Sequence, residues 1–539
     1  MKSCIKFICF LIFILVSVKT SYCQTGFYKN YLGVQGPGHW NVPLASSLDQ
    51  MKDGGYILTT TDQINNYVSY LRLDPNYSKK RVTNYAISNT GFLDRAVELD
   101  DKGFVGIYMY DNANSCFTKQ DASGHPLFSN YYHTATSTNF STSAICKSAS
   151  NDSGFVVMYT GCELHYGIAK FSKTGDVQWC YDYSANGYHA GTYELIQGIR
   201  TGYLTVGHHT NSTLNHEGAV VAQFNNDGTL LRAKEYILDS TRDSYMDNPL
   251  AAVDNHYYTI GNTFKGAPTY ATDRWIYLSQ LDTSLNLIKS WKVQLADANR
   301  MIWVENILSL SDSTIVICGK TTDTLQGASK AFILRFNPKG SGNIMWAKSW
   351  ESPNITTSPI AHCETGLFAY GQNEYLVTTL YANYDGSTVA SMDKMGNGLC
   401  NATDVAMTMN AHNGFYGYDA PLFQLSIPLI KYPMTMTEVT MPYSDTLLCG
   451  KMPKSTGIQE IGTSETDLVL ATQINNGITL QNLIDKSLEI EIYTITGQIV
   501  NHISIAPFTS FQQTVNAKGM YMIRARSNDL QQTKKVMVD

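Results

Sequence analysis

The sequence predicts an all-β protein: a seven-bladed β-propeller followed by a small C-terminal Ig-like β-sandwich. Three observations predict it. A motif of Gly, an aromatic and a β-branched run recurs about seven times between residues 46 and 400. Each copy leads into an alternating strand that ends in Asp, Asn or Ser, then a tight turn with Gly at a fixed place. The last 80 or so residues abandon this period for short alternating strands of a different kind.

The clearest copies of the motif are Asp53-Gly54-Gly55-Tyr56-Ile57-Leu58, Lys102-Gly103-Phe104-Val105, Ser153-Gly154-Phe155-Val156-Val157 and Thr201-Gly202-Tyr203-Leu204. Looser ones begin at Asn255, Asp312 and Asn373. A period of this size means stacked or circularised units, none of which buries its apolar face alone. The alternating strands include Val68–Asp74, Ile168–Ser172, Val221–Asn225 and Phe332–Asn337, and their turns carry Gly124, Gly175, Gly228, Gly340 and Gly396. The next strand often bears Trp, as at Trp179, Trp291 and Trp346. A less regular strand before each motif brings the unit to four antiparallel strands, which is a propeller blade. Seven is the count, and the stretched spacing of the later units also accommodates six or eight. An open β-solenoid is the competing architecture. The hairpin turns and outer Trp positions suit blades better.

The chain ends sharpen the reading. The seventh unit stops near Cys400 without a Trp-bearing fourth strand, and Phe27-Tyr28-Lys29-Asn30-Tyr31 has the look of that missing strand. Its pairing with the last unit would close the ring and remove exposed edges. Residues 401–457 lose the repeat and turn rich in Met, Thr and Pro. They are expected to be a connector, either a linker or extended strands packed on the propeller's flank.

Composition bounds the function. At 539 residues the chain exceeds one ordinary core. Hydrophobic content is 43%, charged content only 16%, and there are 35 Tyr, a balance that favours strands over helices. A net charge of -6 supplies no basic field, which argues against nucleic acid as partner. Lys2 and Lys6, the apolar run from Ile8 to Val18, and Ser21-Tyr22-Cys23 read as a signal peptide over 1–23, cleaved between Cys23 and Gln24. The run is short for a membrane anchor, and bulky Tyr22 argues against lipidation of Cys23. The mature chain is then expected to be exported, with no transmembrane segment. Its eight remaining Cys permit disulfides without fixing connectivity, and Cys318, inside a β-branched run, reads as a buried small hydrophobe.

From Ile458 onward, Ser487–Tyr493 alternates strictly, turns at Thr496-Gly497-Gln498 and resumes at Ile499-Val500. Gly519–Arg524 and Lys534–Val538 supply two more strands, together a small β-sandwich. This tail, taken as residues 458–539, resembles the type A C-terminal sorting domain of the type IX secretion system of Bacteroidetes-type bacteria. The resemblance rests on Ile492–Val500 with Tyr493 and Gly497, on Lys518–Ile523 with Gly519 and Tyr521, and on the closing Lys534-Lys535-Val536-Met537-Val538. The Pro-Asn-Pro usual near the start of such domains is absent. The resemblance implies the type IX machinery as partner and a secreted or outer-cell-surface destination. It also implies later removal of the tail. The repeats likewise resemble the Asp-Gly-Gly-Tyr propeller repeats common in proteins with such tails, which says nothing about activity.

Candidate chemistry is sparse. Asp62, Asp111, Glu163, Asp323 and Asp385 follow the Gly-aromatic strands of their units. If those loops share a face, they form a partial acidic ring able to accept sugar hydroxyls or hold a cation. The plainer reading is that Asp suits solvated turns. His208, His209, His216 and Glu217 are expected in one polar loop, and Asn130–His133 and Tyr381–Tyr384 in Tyr-rich loops. The Trp series points to packing between blades. No cofactor motif, metal spacing or nucleophile elbow is present in the sequence. The expectation is a non-enzymatic binding or adhesion module for glycan or protein. The alternative is a carbohydrate-active hydrolase or lyase.

Overall fold

The computed structural model describes residues 27–33, 44–450 and 469–538, apart from stretches between strands such as 110–113, 162–165, 265–274, 351–360 and 383–385. The signal-peptide reading, with Cys23 and Gln24, lies outside these residues. The chain divides into two compact units, Met1–Pro453 and Lys454–Asp539.

The first unit is all-β and propeller-like. Its strands form seven sheets. In the first six, four consecutive strands pair antiparallel in chain order. The first sheet, for instance, comprises Leu44–Gln50, Tyr56–Asp62, Tyr67–Leu73 and Lys79–Ala86. The seventh combines Tyr375–Ala382 and Gly386–Met392 with Phe27–Gly33 from the chain's start, in the register Phe27↔Ser391 to Tyr31↔Ser387. The innermost strands of the first six sheets pack beside one another in order, and Ser329–Asn337 of the sixth meets Ala361–His362 of the seventh. Leu44–Gln50 also meets Tyr375–Ala382, so the first sheet adjoins the seventh. Alternating side chains fill the space between sheets: Phe117, Tyr132, Phe155 and Phe171 join the second and third, and Trp291, Phe332 and Phe336 the fifth and sixth.

Residues 403–450 supply one further strand to every sheet. They visit the sheets in reverse order: Thr403–Asp404 on the sixth, Met407–Ala411 on the fifth, Tyr416–Asp419 on the fourth, Phe423–Ser426 on the third, Leu429–Pro433 on the second and Thr437–Val439 on the first. The last, Tyr443–Gly450, pairs with Phe27–Gly33 of the seventh. This segment is a strap around the outer edges. It covers only the second half of most outer strands, Trp291–Leu295 within Leu287–Leu295 for example. The uncovered first halves begin with a bulge in each of the first six sheets, a device that spoils a free edge for further pairing.

The second unit has a three-stranded and a four-stranded sheet enclosing Leu480, Ile490, Ile492, Ile523 and Val536. The strictly alternating segment supplies Leu488–Thr494, whose Leu, Ile and Ile point inward while Glu489 is exposed. The turn closes where Thr494 N–H donates to Gln498 O at 2.9 Å, with Gly497 at φ +87°, a backbone that Gly adopts without strain.

Candidate functional site

Antiparallel pairing gives each sheet of the first unit two edges of different character. One carries the turns joining first to second and third to fourth strands. The other carries the connections after the second and fourth strands.

On the turn edge, the repeat is chemical as well as sequential. In the turn before the second strand, an Asp Oδ1 accepts the N–H two residues on: Asp53 from Gly55, Asp101 from Gly103, Asp152 from Gly154 and Asp312 from Thr314, all at 3.0 Å. Each of these acids also meets a basic residue on the third strand, namely Arg72, Lys119, Lys170 and Arg335. Burial pushes Asp53, Asp152 and Asp312 upward, but the N–H donors and cations outweigh it and hold all three below the ordinary carboxylate range. In the turn after the third strand, Asp121, Ser172, Asn225, Asp282 and Asp393 each accept N–H groups two and four residues ahead. Those turns latch to the preceding sheet. Tyr132 Oη donates to Gly175 O at 2.5 Å, and Tyr183 and Tyr236 repeat the bond to Gly228 O and Leu285 O.

The Trp series belongs to the same latch. Trp179 lies against Gly228 and Trp346 against Gly396, each a positive-φ turn of the following sheet where a Cβ would meet the indole ring. Trp291 sits two positions further along its strand, opposite Leu278, and is buried, yet it too lies against a positive-φ turn glycine of the following sheet, Gly342.

The loop edge holds two of the sequence-derived acidic candidates. Asp62 and Asp323 are the last residues of their second strands, opposite Tyr67 and Arg300, and their side chains lie outside the described residues. Asp111, Glu163 and Asp385 fall wholly outside them. Other readings are corrected. His208 and His209 stand in the strand Tyr203–Asn211, and His216 and Glu217 in its partner His216–Phe224, so they form a hairpin end rather than a loop. Asn130–His133 is strand, with Tyr132 buried and Tyr131 stacked on Tyr432 of the strap at 4.8 Å. Tyr381 also lies in a strand. Here the alternation of β-compatible aromatics outweighed the loop reading of a polar stretch.

A charged cluster that sequence reading missed lies on the innermost strands. Six of these strands carry a bulge at an equivalent point, followed by Ser47, Arg95, Ala144, Glu194, Asn248 and Asn306. Arg95 of the second sheet and Glu194 of the fourth form an ion pair past the third, where the equivalent residue is small Ala144. Burial raises the Glu194 pKa against the pull of Arg95. Nearby Asp49 is pushed up to about 7, chiefly by burial and further by Glu98 and Glu194, with Arg95 opposing. Burial pushes the Cys146 thiol up, which leaves it un-ionised and a poor nucleophile. At the turn-edge rim, Asp100 accepts from Lys52 at 3.0 Å and Lys147 at 2.5 Å, and Gln197 donates to Lys147 O at 3.0 Å, which ties the first four sheets together. Bulge position was legible in no residue pattern, so sequence offered no signal for this convergence. Among the described residues no group of three or more His, Cys, Asp or Glu could hold a metal ion.

In the second unit, Tyr493 Oη donates to Glu491 Oε2 at 2.7 Å, and Arg524 lies 5.2 Å from its ring centre. Gly519 opens the strand Gly519–Ser527 at φ +145°, Tyr521 is buried in the core, and Lys534 and Lys535 pair with Ile523 and Met522. Residues 472–539 match the family described as "Secretion system C-terminal sorting domain". The tail is a secretion sorting domain. It marks the chain as cargo of the type IX system, secreted or held at the outer cell surface. No curated protein matches the sequence. Among solved structures, Sqt1 from Chaetomium thermophilum is 9% identical and is matched over 66% of this chain and 97% of its own, at a TM-score of 0.36. An exo-beta-1,3-galactanase from Phanerochaete chrysosporium is 14% identical over 75% and 100%, at 0.29. At such scores neither likeness carries an argument about fold or activity. The sorting domain is the finding that decides destination.

Proposed function

We propose that this chain is a non-enzymatic binding or adhesion protein of the cell surface or exterior, taking a glycan or protein ligand on the loop edge of a closed seven-bladed propeller. The observation that carries the reading is the division between edges. The turn edge repeats one chemistry from sheet to sheet, whereas the connections at the other edge differ in sequence and length. Ligand-recognising residues concentrate in variable loops on a rigid scaffold. The sorting domain supports an extracellular ligand, through the type IX machinery as partner. In this reading the four-stranded blades lie within 24–400, the strap within 401–457 and an Ig-like sorting domain within 458–539, after a signal peptide over 1–23. Tyr493, Gly497, Gly519, Tyr521, Lys534 and Lys535 carry the sorting motif.

Thermal-shift and array screening of the full chain against bacterial and host surface glycans and proteins tests the reading. Reproducible stabilisation by one ligand class is expected, and silence across the panel counts against it. Asp49 favours a second, hydrolytic reading, since a carboxyl titrating near neutrality suits general acid–base work. Turnover of a glycan that Asp49→Asn abolishes would replace binding with hydrolysis.

A further inference from the structure

The strap suggests a closure step built into the fold. Its strands follow one another with only short connections, 405–406, 412–415, 420–422, 427–428, 434–436 and 440–442. Once one strand has docked, the next has little loop entropy to lose before it reaches its sheet. The first strap strand pairs with Lys348 and Ser349, near in sequence, whereas the last pairs with Phe27–Gly33, more than four hundred residues away. Docking in sequence order therefore ends on the seventh sheet.

That sheet is also where the ring is weakest by construction. Phe27–Gly33 is its one strand drawn from the chain's start, and it lies between Gly386–Met392 and the strap's Tyr443–Gly450. Without the strap it would be an edge strand held on one side. Side chains anchor the strap elsewhere: Tyr432 stacks between Tyr131 and His133, Lys431 meets Asp176 of the third sheet at 2.8 Å, and Lys348 meets Asp404 at 2.7 Å.

We propose that residues 403–450 are a clasp that zips backward around the ring and locks the N-terminal strand last, so that opening of the ring proceeds by peeling the clasp from that same end. The test uses the full chain. A protease site is placed at residues 399–401, the protein is folded and then nicked, and hydrogen exchange is followed by mass spectrometry at rising urea. The nicked strap should co-elute with the ring in native buffer. Exchange should then appear first at Phe27–Gly33 and Tyr443–Gly450, at least tenfold ahead of Trp291–Leu295. Leu447→Pro, which puts a proline into the strap strand opposite Lys29, should raise exchange at Phe27–Gly33 by at least tenfold and leave the third to fifth sheets protected. Loss of the nicked strap with the ring's unfolding midpoint unchanged would overturn the proposal. So would exchange at Phe27–Gly33 that ignores Leu447→Pro.

Discussion

The two edges of the sheets use one backbone architecture for opposite ends. At the turn edge, Asp53, Asp101, Asp152 and Asp312 bind their own turns and a cation on the next-but-one strand, and Tyr132, Tyr183 and Tyr236 latch the second, third and fourth sheets to the turn beyond. At the loop edge the sequence does not repeat. A repeated device is a structural one, because the requirement it meets recurs in every unit. A residue present once answers a requirement that arises once. The innermost strands show both cases, with one bulge repeated in six sheets but a single Arg95–Glu194 pair built on it.

That contrast can be broken by substitution. The largest effect is expected at Arg95→Ala, which strands Glu194 without its partner in the interior and should destabilise the first unit by about 3–5 kcal/mol. Replacing both by Leu and Met should recover much of the loss, measured by urea unfolding. Arg335→Met comes next, since the guanidinium is buried and serves Asp312, Thr314 and the Lys394 carbonyl, with about 2–4 kcal/mol expected from unpaired polar groups. Gly228→Ala combines φ +81° with a Cβ 2.7 Å from the Trp179 ring and should lose about 1–3 kcal/mol. Gly340→Ala meets no atom within 4 Å and should lose only about 1 kcal/mol for its backbone. Tyr183→Phe, which removes one latch bond, should shift stability by about 1 kcal/mol.

Acidity separates turn edge from ring interior. Asp53, Asp152 and Asp312 have lowered pKa values, so their contribution is present above the ordinary carboxylate range and lost as pH falls below about 4. Asp49 is raised, so the folded state holds its proton longer than the unfolded chain. Its contribution is complete below about 4 and is lost as pH climbs to about 7. Asp49→Asn should therefore raise the melting temperature more at pH 8 than at pH 4.5. Equal shifts at both would contradict the assignment.

Much of this was legible in the sequence, and the reasons differ by element. Turn Gly and the Asp, Asn or Ser after the third strand are local requirements of backbone geometry, so they survive in the residue pattern. The pairing strand at Phe27–Gly33 was legible from an absence at the other end of the repeat. The strap was legible only in part: residues 401–457 read equally as a linker or as extended strands on the propeller's flank, and Met407–Ala411, in which only Met409 is buried, has no periodicity to assign it to a sheet. The Arg95–Glu194 pair was not legible, since its members lie 99 residues apart and meet only because two bulges aim them together. Asn130–His133 misled because Tyr131 and His133 pack against Tyr432 of the strap while Tyr132 enters the core, contacts that no local pattern encodes.

The most direct test of the account compares ligand binding by two sets of surface variants of the full chain. One set alters the loop edge, with Asp62→Ala, Asp111→Ala, Glu163→Ala, Asp323→Ala and Asp385→Ala. The other alters exposed turn-edge residues, Lys102→Ala and Lys173→Ala. Against a ligand found by array screening, titration should show affinity falling at least tenfold for one or more loop-edge variants and unchanged for both turn-edge variants. Affinity lost at the turn edge and intact throughout the loop-edge set would contradict the account.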